Sequence, residues 1–222
     1  MAHFRQFSSA QGRYSYLLAD VERREAVLID PDDALAALYL GVLDELQAHL
    51  GLMLLTHTHA GQALPGNRLS VATGAMLGMA MAEPASAGSM RSLEDGEALA
   101  FGDEVLRAWR TPGHTRNSTC YIWRDRVFTG DALLIGDCGS AREADSDPGA
   151  LFDSLNQRLL TLPDETLVYP AHDFAGRCVS CIGEQRRSNP KLKDVSRDEF
   201  VALYYRDAAG KPSINRGGSS QA

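Results

Sequence analysis

The chain has 222 residues, of which 44% are hydrophobic and 23% charged, which is enough apolar material for the core of one large domain. Its net charge of −7, without a basic stripe, argues against a nucleic-acid partner. No apolar run approaches the roughly 20 residues that a membrane-spanning helix needs. We predict a single domain over residues 1–210 and a disordered tail over residues 211–222.

The first third of the chain predicts three strands followed by a helix. Short apolar runs on either side of the charged turn at residues 21–24 indicate a β-hairpin. Apolar residues then recur at helical spacing over residues 34–50. The apolar run at residues 52–55 predicts a buried strand that ends in His57 and His59. Side chains two residues apart on a strand share a face, so both imidazoles can address one point beyond its end.

The rest of the chain alternates between shorter strand and helix patterns. We expect strands at residues 69–72, 104–109, 120–123, 126–129 and 166–169, and helices at residues 151–160, 179–188 and 198–206. The methionine-rich run at residues 76–82 is assigned to packing. The polar stretch at residues 137–148 is long enough to indicate a functional loop.

Residue types that bind metals stand at the ends of four predicted strands. They are His57 with His59, His114, Asp131 and His172. Any single histidine of this kind is about as often a hydrogen-bonded structural residue as a metal ligand. Together, imidazoles and a carboxylate at four strand ends form a common ligand set for zinc or iron. The sequence therefore predicts a metal cleft where these strand ends meet.

The motifs that hold these residues carry a resemblance to a known superfamily. They are, in order, His57-Thr-His59, Pro112-Gly-His114-Thr, Thr129-Gly-Asp131 and Tyr169-Pro-Ala-His172-Asp. This order resembles the metallo-β-lactamase superfamily, and the runs at residues 24–31, 129–135 and 184–192 are similar to its persulfide dioxygenase branch, which is related to glyoxalase II. The resemblance implies an αββα sandwich, with two mixed β-sheets flanked by helices and the metal cleft at one edge.

Two departures from the superfamily motif His-x-His-x-Asp-His concern the number of metals. Gly61 and Gln62 stand where the motif has the aspartate and the last histidine of its second metal site. Glycine has no ligand atom, and a neutral carboxamide is a weak donor. Asp131 and His172 alone are too few ligands for a stable second site. We therefore expect one metal per chain and no two-metal hydrolase.

Two ligand sets remain open for one metal. His57, His59 and His114 would make a three-histidine zinc site. His57, His114 and Asp131 would make the two-histidine, one-carboxylate face of non-haem Fe(II) oxygenases. The resemblance to persulfide dioxygenases implies the second set and Fe(II), with zinc as the alternative. His59 and His172 are then catalytic candidates that orient the ligands and bound water.

A third departure concerns the substrate. After Cys138-Gly139 the family continues Arg-Thr-Asp, whereas this chain has Ser140, which cannot hold a substrate carboxylate in a bidentate pair. Arg142 is a candidate replacement two positions along the chain. Cys138 and Tyr169, which lie in the resembling motifs, are further substrate-binding candidates. The resemblance implies a small thiol or persulfide substrate based on glutathione.

Three functions follow from these features. The first is an Fe(II) persulfide dioxygenase that converts glutathione persulfide and O₂ to sulfite and thiol. The second is a zinc-dependent thioester hydrolase of the glyoxalase II type, and the third is a degenerate, non-catalytic binding protein.

The four cysteines do not form a disulfide framework and residues 1–7 lack the apolar core of a signal peptide, so we predict a cytoplasmic protein. A homodimer is the candidate oligomeric state. For Cys178 and Cys181, packing at a helix start is favoured over a redox pair.

Overall fold

The protein is described here by a computed structural model, which covers residues 1–81, 90–140, 144–172 and 176–209. These residues form the predicted αββα sandwich, so the fold class is confirmed. The predicted disordered tail lies outside the described residues. Within them, no helix combines the length and apolarity needed to cross a bilayer.

The first sheet described has six strands, which pair in chain order from one edge to the other. The first three pair antiparallel and the last three join in parallel. The strands are β1 (Ala2–Ser8), β2 (Tyr14–Asp20), β3 (Glu25–Ile29), β4 (His49–Leu54), β5 (Met76–Ala80) and β6 (Met90–Leu93).

The second described sheet also has six strands, in the order β14-β13-β10-β9-β8-β7, with a parallel pair between β10 and β13. These strands are β7 (Ala98–Phe101), β8 (Glu104–Arg110), β9 (Thr119–Trp123), β10 (Arg126–Gly130), β13 (Leu167–Pro170) and β14 (Ser180–Cys181). A two-stranded ribbon, β11 (Leu133–Leu134) with β12 (Asp137–Cys138), lies between β10 and the later helices in the chain.

The described helices lie on the two outer faces of the sandwich. They are α1 (Ala36–Glu45), α2 (Asn67–Thr73), α3 (Pro148–Gln157), α4 (Ile182–Ser188) and α5 (Arg197–Ala209). The first two share a core cluster with the first sheet, and the other three share one with the second sheet. A third cluster, in which Tyr16, Tyr121 and Phe128 are fully buried, fills the space between the sheets.

Burial on both faces explains the unbroken apolar runs of the central strands. Along β2, Leu17 packs toward the helices while Leu18 packs toward the second sheet, and Leu28 and Ile29 divide in the same way along β3. Successive side chains of a strand point to opposite faces, so a strand covered on both sides is apolar at every position.

Two sequence predictions of local structure were wrong. Residues 69–72 lie in α2 rather than in a strand, because left-handed Gly66 and Gly74 begin and end a short helix there. The predicted helix over residues 34–50 ends at Glu45, since Gln47 adopts a positive φ of 52° and turns the chain into β4. The methionine-rich run forms β5, and Met79 of this strand packs in the core cluster of the first sheet.

A close approach at Gly130 gives the first prediction. Its φ is +55°, and a Cβ there would lie 2.5 Å from Thr56 Oγ1 and 2.6 Å from Thr56 Cβ. Gly136 also has a positive φ, of 73°, but a Cβ there would meet nothing within 4 Å. Gly136→Ala should therefore cost only the left-handed strain of about 1–2 kcal/mol. We expect Gly130→Ala to cost roughly 1–3 kcal/mol more from overpacking.

Urea unfolding of the two alanine variants measures this difference directly. Equal losses of unfolding free energy in Gly130→Ala and Gly136→Ala would show that the contact between β10 and Thr56 does not constrain the fold.

Candidate metal centre

The five predicted metal-type residues follow the carboxyl ends of four strands. His57 and His59 follow β4, His114 follows β8, Asp131 follows β10, and His172 follows β13. Backbone hydrogen bonds tie the strand ends together: Thr119 N–H donates to the Thr56 carbonyl at 2.7 Å, and Ala171 N–H donates to the Gly130 carbonyl at 3.0 Å. The two sheets therefore bring these side chains to one edge of the sandwich.

The side chains converge on one point. One ligand atom from each of His57, His59 and His114 lies within 4.8 Å of the other two. Asp131 Oδ2 lies 3.7 Å from His57 Nε2 and 3.7 Å from His114 Nε2. Both ligand sets predicted from the sequence are thus present, with two histidines common to them.

Hydrogen bonds on the far side of two rings leave their Nε2 atoms facing the centre. His114 Nδ1 donates to the Ser140 carbonyl at 2.7 Å, which leaves a lone pair on Nε2. The Thr56 hydroxyl donates to Asp30 Oδ2 at 2.8 Å, so it accepts from His57 Nδ1 at 3.1 Å. Burial lowers the pKa of His57 to about 4, which keeps the imidazole neutral and able to bind a metal.

Asp131 is the negative charge of the centre. Burial alone would raise its pKa, but the hydrogen bond from His172 and the nearby histidines outweigh it and bring the pKa to about 2. His172 Nδ1 donates to Asp131 Oδ1 at 2.7 Å. Burial lowers the pKa of His172, and the bond to Asp131 outweighs that effect and raises it. One carboxylate oxygen is therefore held by His172, and the other faces His57 and His114.

This arrangement fits a bound metal ion. His114 is 3% exposed, and within the described part of the chain its buried Nε2 has no hydrogen-bond partner. A buried imidazole nitrogen without such a partner is costly unless another species occupies its lone pair. Imidazole nitrogens and an ionised carboxylate that face one point would give a metal ion its ligands.

Comparison with known proteins places the chain in a family. No family model matches it. Human mitochondrial persulfide dioxygenase ETHE1 is 36% identical over 200 residues, which cover 89% of this chain and 78% of the relative. The chain belongs to the persulfide dioxygenase family. The crystal structure of ETHE1 from Myxococcus xanthus agrees, with a TM-score of 0.87, 37% identity and coverage of 95% of this chain and 92% of that one.

A zinc enzyme is a more distant relative of this persulfide dioxygenase-like enzyme. BaeB of Bacillus velezensis, a probable polyketide biosynthesis zinc-dependent hydrolase, is 30% identical over 192 residues, which cover 85% of each chain. The family membership confirms the resemblance found in the motifs, and the histidine cluster makes the chain a metal-binding member.

The two departures from the superfamily motif lie beside the centre. Gly61 and Gln62 are exposed, and Gln62 lines the same cleft as His57, His59 and His172. Gly61 has a φ of +78°, and a Cβ there would meet nothing within 4 Å. A larger side chain at position 61 would therefore meet no steric obstacle at its Cβ.

The predicted substrate-binding residues are dispersed. Tyr169 is 8% exposed and packs with Phe4, Tyr16 and Phe128 between the sheets. Cys138 is 2% exposed and packs with the outer helices of the second sheet. The described cleft lining includes neither of them, and their roles in substrate binding stay predictions. Arg142 lies outside the described residues.

Sequence reasoning missed two residues that lie at the cleft, Asp30 and Arg13. Asp30 is half-buried and accepts hydrogen bonds from Thr56 N and Oγ1. A carboxylate directly after a buried strand was the available signal, since such a group must find donors. Arg13 lines the cleft, and no motif marked it.

Proposed function

We propose that this protein is a mononuclear Fe(II) persulfide dioxygenase whose metal ligands are His57, His114 and Asp131. One observation carries the ligand set: Asp131 Oδ2 lies 3.7 Å from the Nε2 atoms of both histidines. A face of two imidazoles and one carboxylate is the ligand set typical of non-haem Fe(II) oxygenases. Membership of the persulfide dioxygenase family supports the reaction class.

The proposed substrate is glutathione persulfide or a similar small persulfide. Its outer sulfur gives up four electrons, O₂ takes up four, and one water supplies the third oxygen of sulfite. The S–S bond breaks, and glutathione leaves as the thiol with one proton, while two further protons are released. Bound iron would supply adjacent open positions where O₂ and the persulfide sulfur can react, and the residues around it hold the reactants and move protons.

The flanking residues have two roles in this proposal. His172 holds Asp131 Oδ1, so that Oδ2 keeps one direction toward the centre. His59 lines the cleft with its ring centroid 4.9 Å from that of His57. It would orient the bound water and accept the proton that the persulfide loses, as a general base within the cleft.

A second candidate function rests on one specific observation. The ligand atoms of the three histidines lie within 4.8 Å of one another, which also fits a three-histidine zinc site. A zinc-dependent thioester hydrolase would use that set, with Asp131 as a neighbour. The carboxylate facing two of these histidines favours iron, because carboxylate oxygen is a harder ligand than imidazole nitrogen.

Metal exchange separates the two functions. Apoprotein is loaded anaerobically with Fe(II) or with zinc, and each form is given glutathione persulfide or S-lactoylglutathione. We expect O₂ uptake only from the iron form with the persulfide, and thioester hydrolysis from neither form. Hydrolysis by the zinc form, without O₂ uptake by the iron form, would support the hydrolase instead.

The cellular setting is also proposed. All four cysteines lie in the described part of the chain and are free thiols there. Thiols are maintained in reducing compartments, which supports a cytoplasmic location. The homodimer stays a prediction.

A further inference from the structure

Arg13 has a fixed backbone position beside the metal centre. It lies in the loop between β1 and β2, and Ser9 N–H donates to its carbonyl at 2.8 Å. Arg13 and His172 form an isolated antiparallel bridge, and Tyr14 N–H donates to the Ala171 carbonyl at 2.8 Å. The backbone from which the Arg13 side chain projects is therefore tied to the strand end that carries His172.

Arg13 lines the same cleft as the histidines. This cavity has a volume of about 370 Å³, and its lining includes Arg13, His57, His59 and His172. That volume lies within the roughly 300–1,000 Å³ of small-molecule sites. Among the described residues of the lining, Arg13 is the only lysine or arginine. Within the described lining, Arg13 is therefore the permanently charged cation that a substrate in this cleft would meet.

The charge of Arg13 is not neutralised within the described part of the chain. Arg13 is exposed and forms no ion pair there. The carboxylates of the cleft lining accept hydrogen bonds from groups other than Arg13. Asp30 accepts from Thr56, Asp32 from Ala34 N, and Asp33 from Gly66 N. Some other arginines are paired, such as Arg158 with Asp95 and Arg197 with Asp153.

Arg13 and the histidines share one cavity. Arg13 and His172 both line it, and their backbones form a bridge. A guanidinium in this cavity can meet the far end of a substrate whose sulfur lies at the histidines. Its planar fork matches a carboxylate in bidentate geometry.

We propose that Arg13 is a specificity-determining residue that binds a carboxylate of the substrate and selects persulfides of carboxylate-bearing thiols over uncharged ones. This inference rests on the proposed function for the identity of the reacting sulfur. It gives Arg13, in the loop between β1 and β2, the carboxylate-binding role that serine cannot fill at position 140. Ser140 itself is engaged through its carbonyl, which accepts from His114 Nδ1.

The test separates substrate binding from turnover. S-methylglutathione has the carboxylates but no reactive sulfur, and its diethyl ester has neither. Binding of both probes is measured by calorimetry on the metal-loaded protein, and O₂ uptake is measured with glutathione persulfide. Arg68→Ala is the matched control, because Arg68 is an exposed arginine of α2 outside the cleft lining.

We expect the wild type to bind the free acid more tightly than the diester. Arg13→Ala should weaken free-acid binding roughly tenfold, the effect of one charge-assisted hydrogen-bonded pair at a partly exposed site, and should bind both probes equally. KM for the persulfide should rise by a similar factor with little change in kcat. Arg13→Lys should recover part of the preference, and Arg68→Ala should match the wild type.

The outcomes distinguish this inference from the proposed function. Preference for the free acid that depends on Arg13, in a protein without O₂ uptake, would support the carboxylate site and overturn the dioxygenase. O₂ uptake with the same KM in wild type and Arg13→Ala would overturn the role of Arg13 and leave the dioxygenase standing. A drop in kcat alone would also overturn it, since a binding residue acts on KM.

Discussion

Asp131→Ala is expected to abolish Fe(II) binding and O₂ uptake, with iron affinity falling by more than roughly 100-fold, because changes to the partners of metal ligands already cost 10–100-fold. The alanine removes the carboxylate that faces His57 and His114, and it also leaves His172 Nδ1 without its acceptor at 2.7 Å. Iron per chain after anaerobic reconstitution and dialysis is the measurement.

His59→Ala is the matched comparison for Asp131→Ala. It removes a residue of the three-histidine set and leaves the proposed iron ligands in place, so it should keep most of the iron. Zinc affinity gives the complementary result, since a three-histidine site would depend on His59 and tolerate the loss of Asp131. Iron lost in His59→Ala and retained in Asp131→Ala would reject the proposed ligand set.

Gly61→Asp combined with Gln62→His is expected to raise the metal content from about one toward two per chain in zinc or manganese. The two new side chains would join Asp131 and His172, giving four potential ligands. The backbone at Gly61 has a φ of +78°, which aspartate tolerates better than most residues, and a Cβ there meets nothing within 4 Å. Gln62 already lines the cleft, so a histidine at this position would also be on the side of the metal centre.

A second metal ion would need Asp131 and His172 as ligands, but these two side chains are hydrogen-bonded to each other. The hydrogen bond of 2.7 Å between His172 and Asp131 must give way to ligation, and metal distances tolerate errors of only about 0.2 Å. Gly61→Ala with Gln62→Ala is the control, because it changes both positions and adds no ligand atom. A folded Asp–His variant that still holds one metal would show that the whole cleft has been reshaped, beyond these two residues.

The parts of the site that the sequence predicted share a physical cause. His57, His59, His114, Asp131 and His172 all follow apolar strands, and a polar residue that interrupts such a pattern is visible without coordinates. The strands themselves were visible because burial on both faces makes them continuously apolar.

The parts that were missed depend on tertiary contacts. Arg13 is placed beside the centre by a backbone bridge to His172, which lies far from it in the sequence. The helix at residues 67–73 begins and ends at glycines with positive φ, and its short apolar run resembles a strand as much as a helix. The buried positions of Tyr169 and Cys138 follow from how the layers pack, which motif similarity does not specify.

An iron-dependent persulfide dioxygenase consumes one O₂ for each sulfite that it forms, so the ratio of O₂ consumed to sulfite formed decides whether this chain is one. Anaerobically prepared Fe(II) protein is mixed with glutathione persulfide, and both quantities are followed in the same sample. We expect equal amounts of O₂ consumed, sulfite formed and glutathione released, and we expect Asp131→Ala to lose all three. Metal-loaded protein that releases glutathione without consuming O₂, or that leaves the persulfide unchanged, would contradict it.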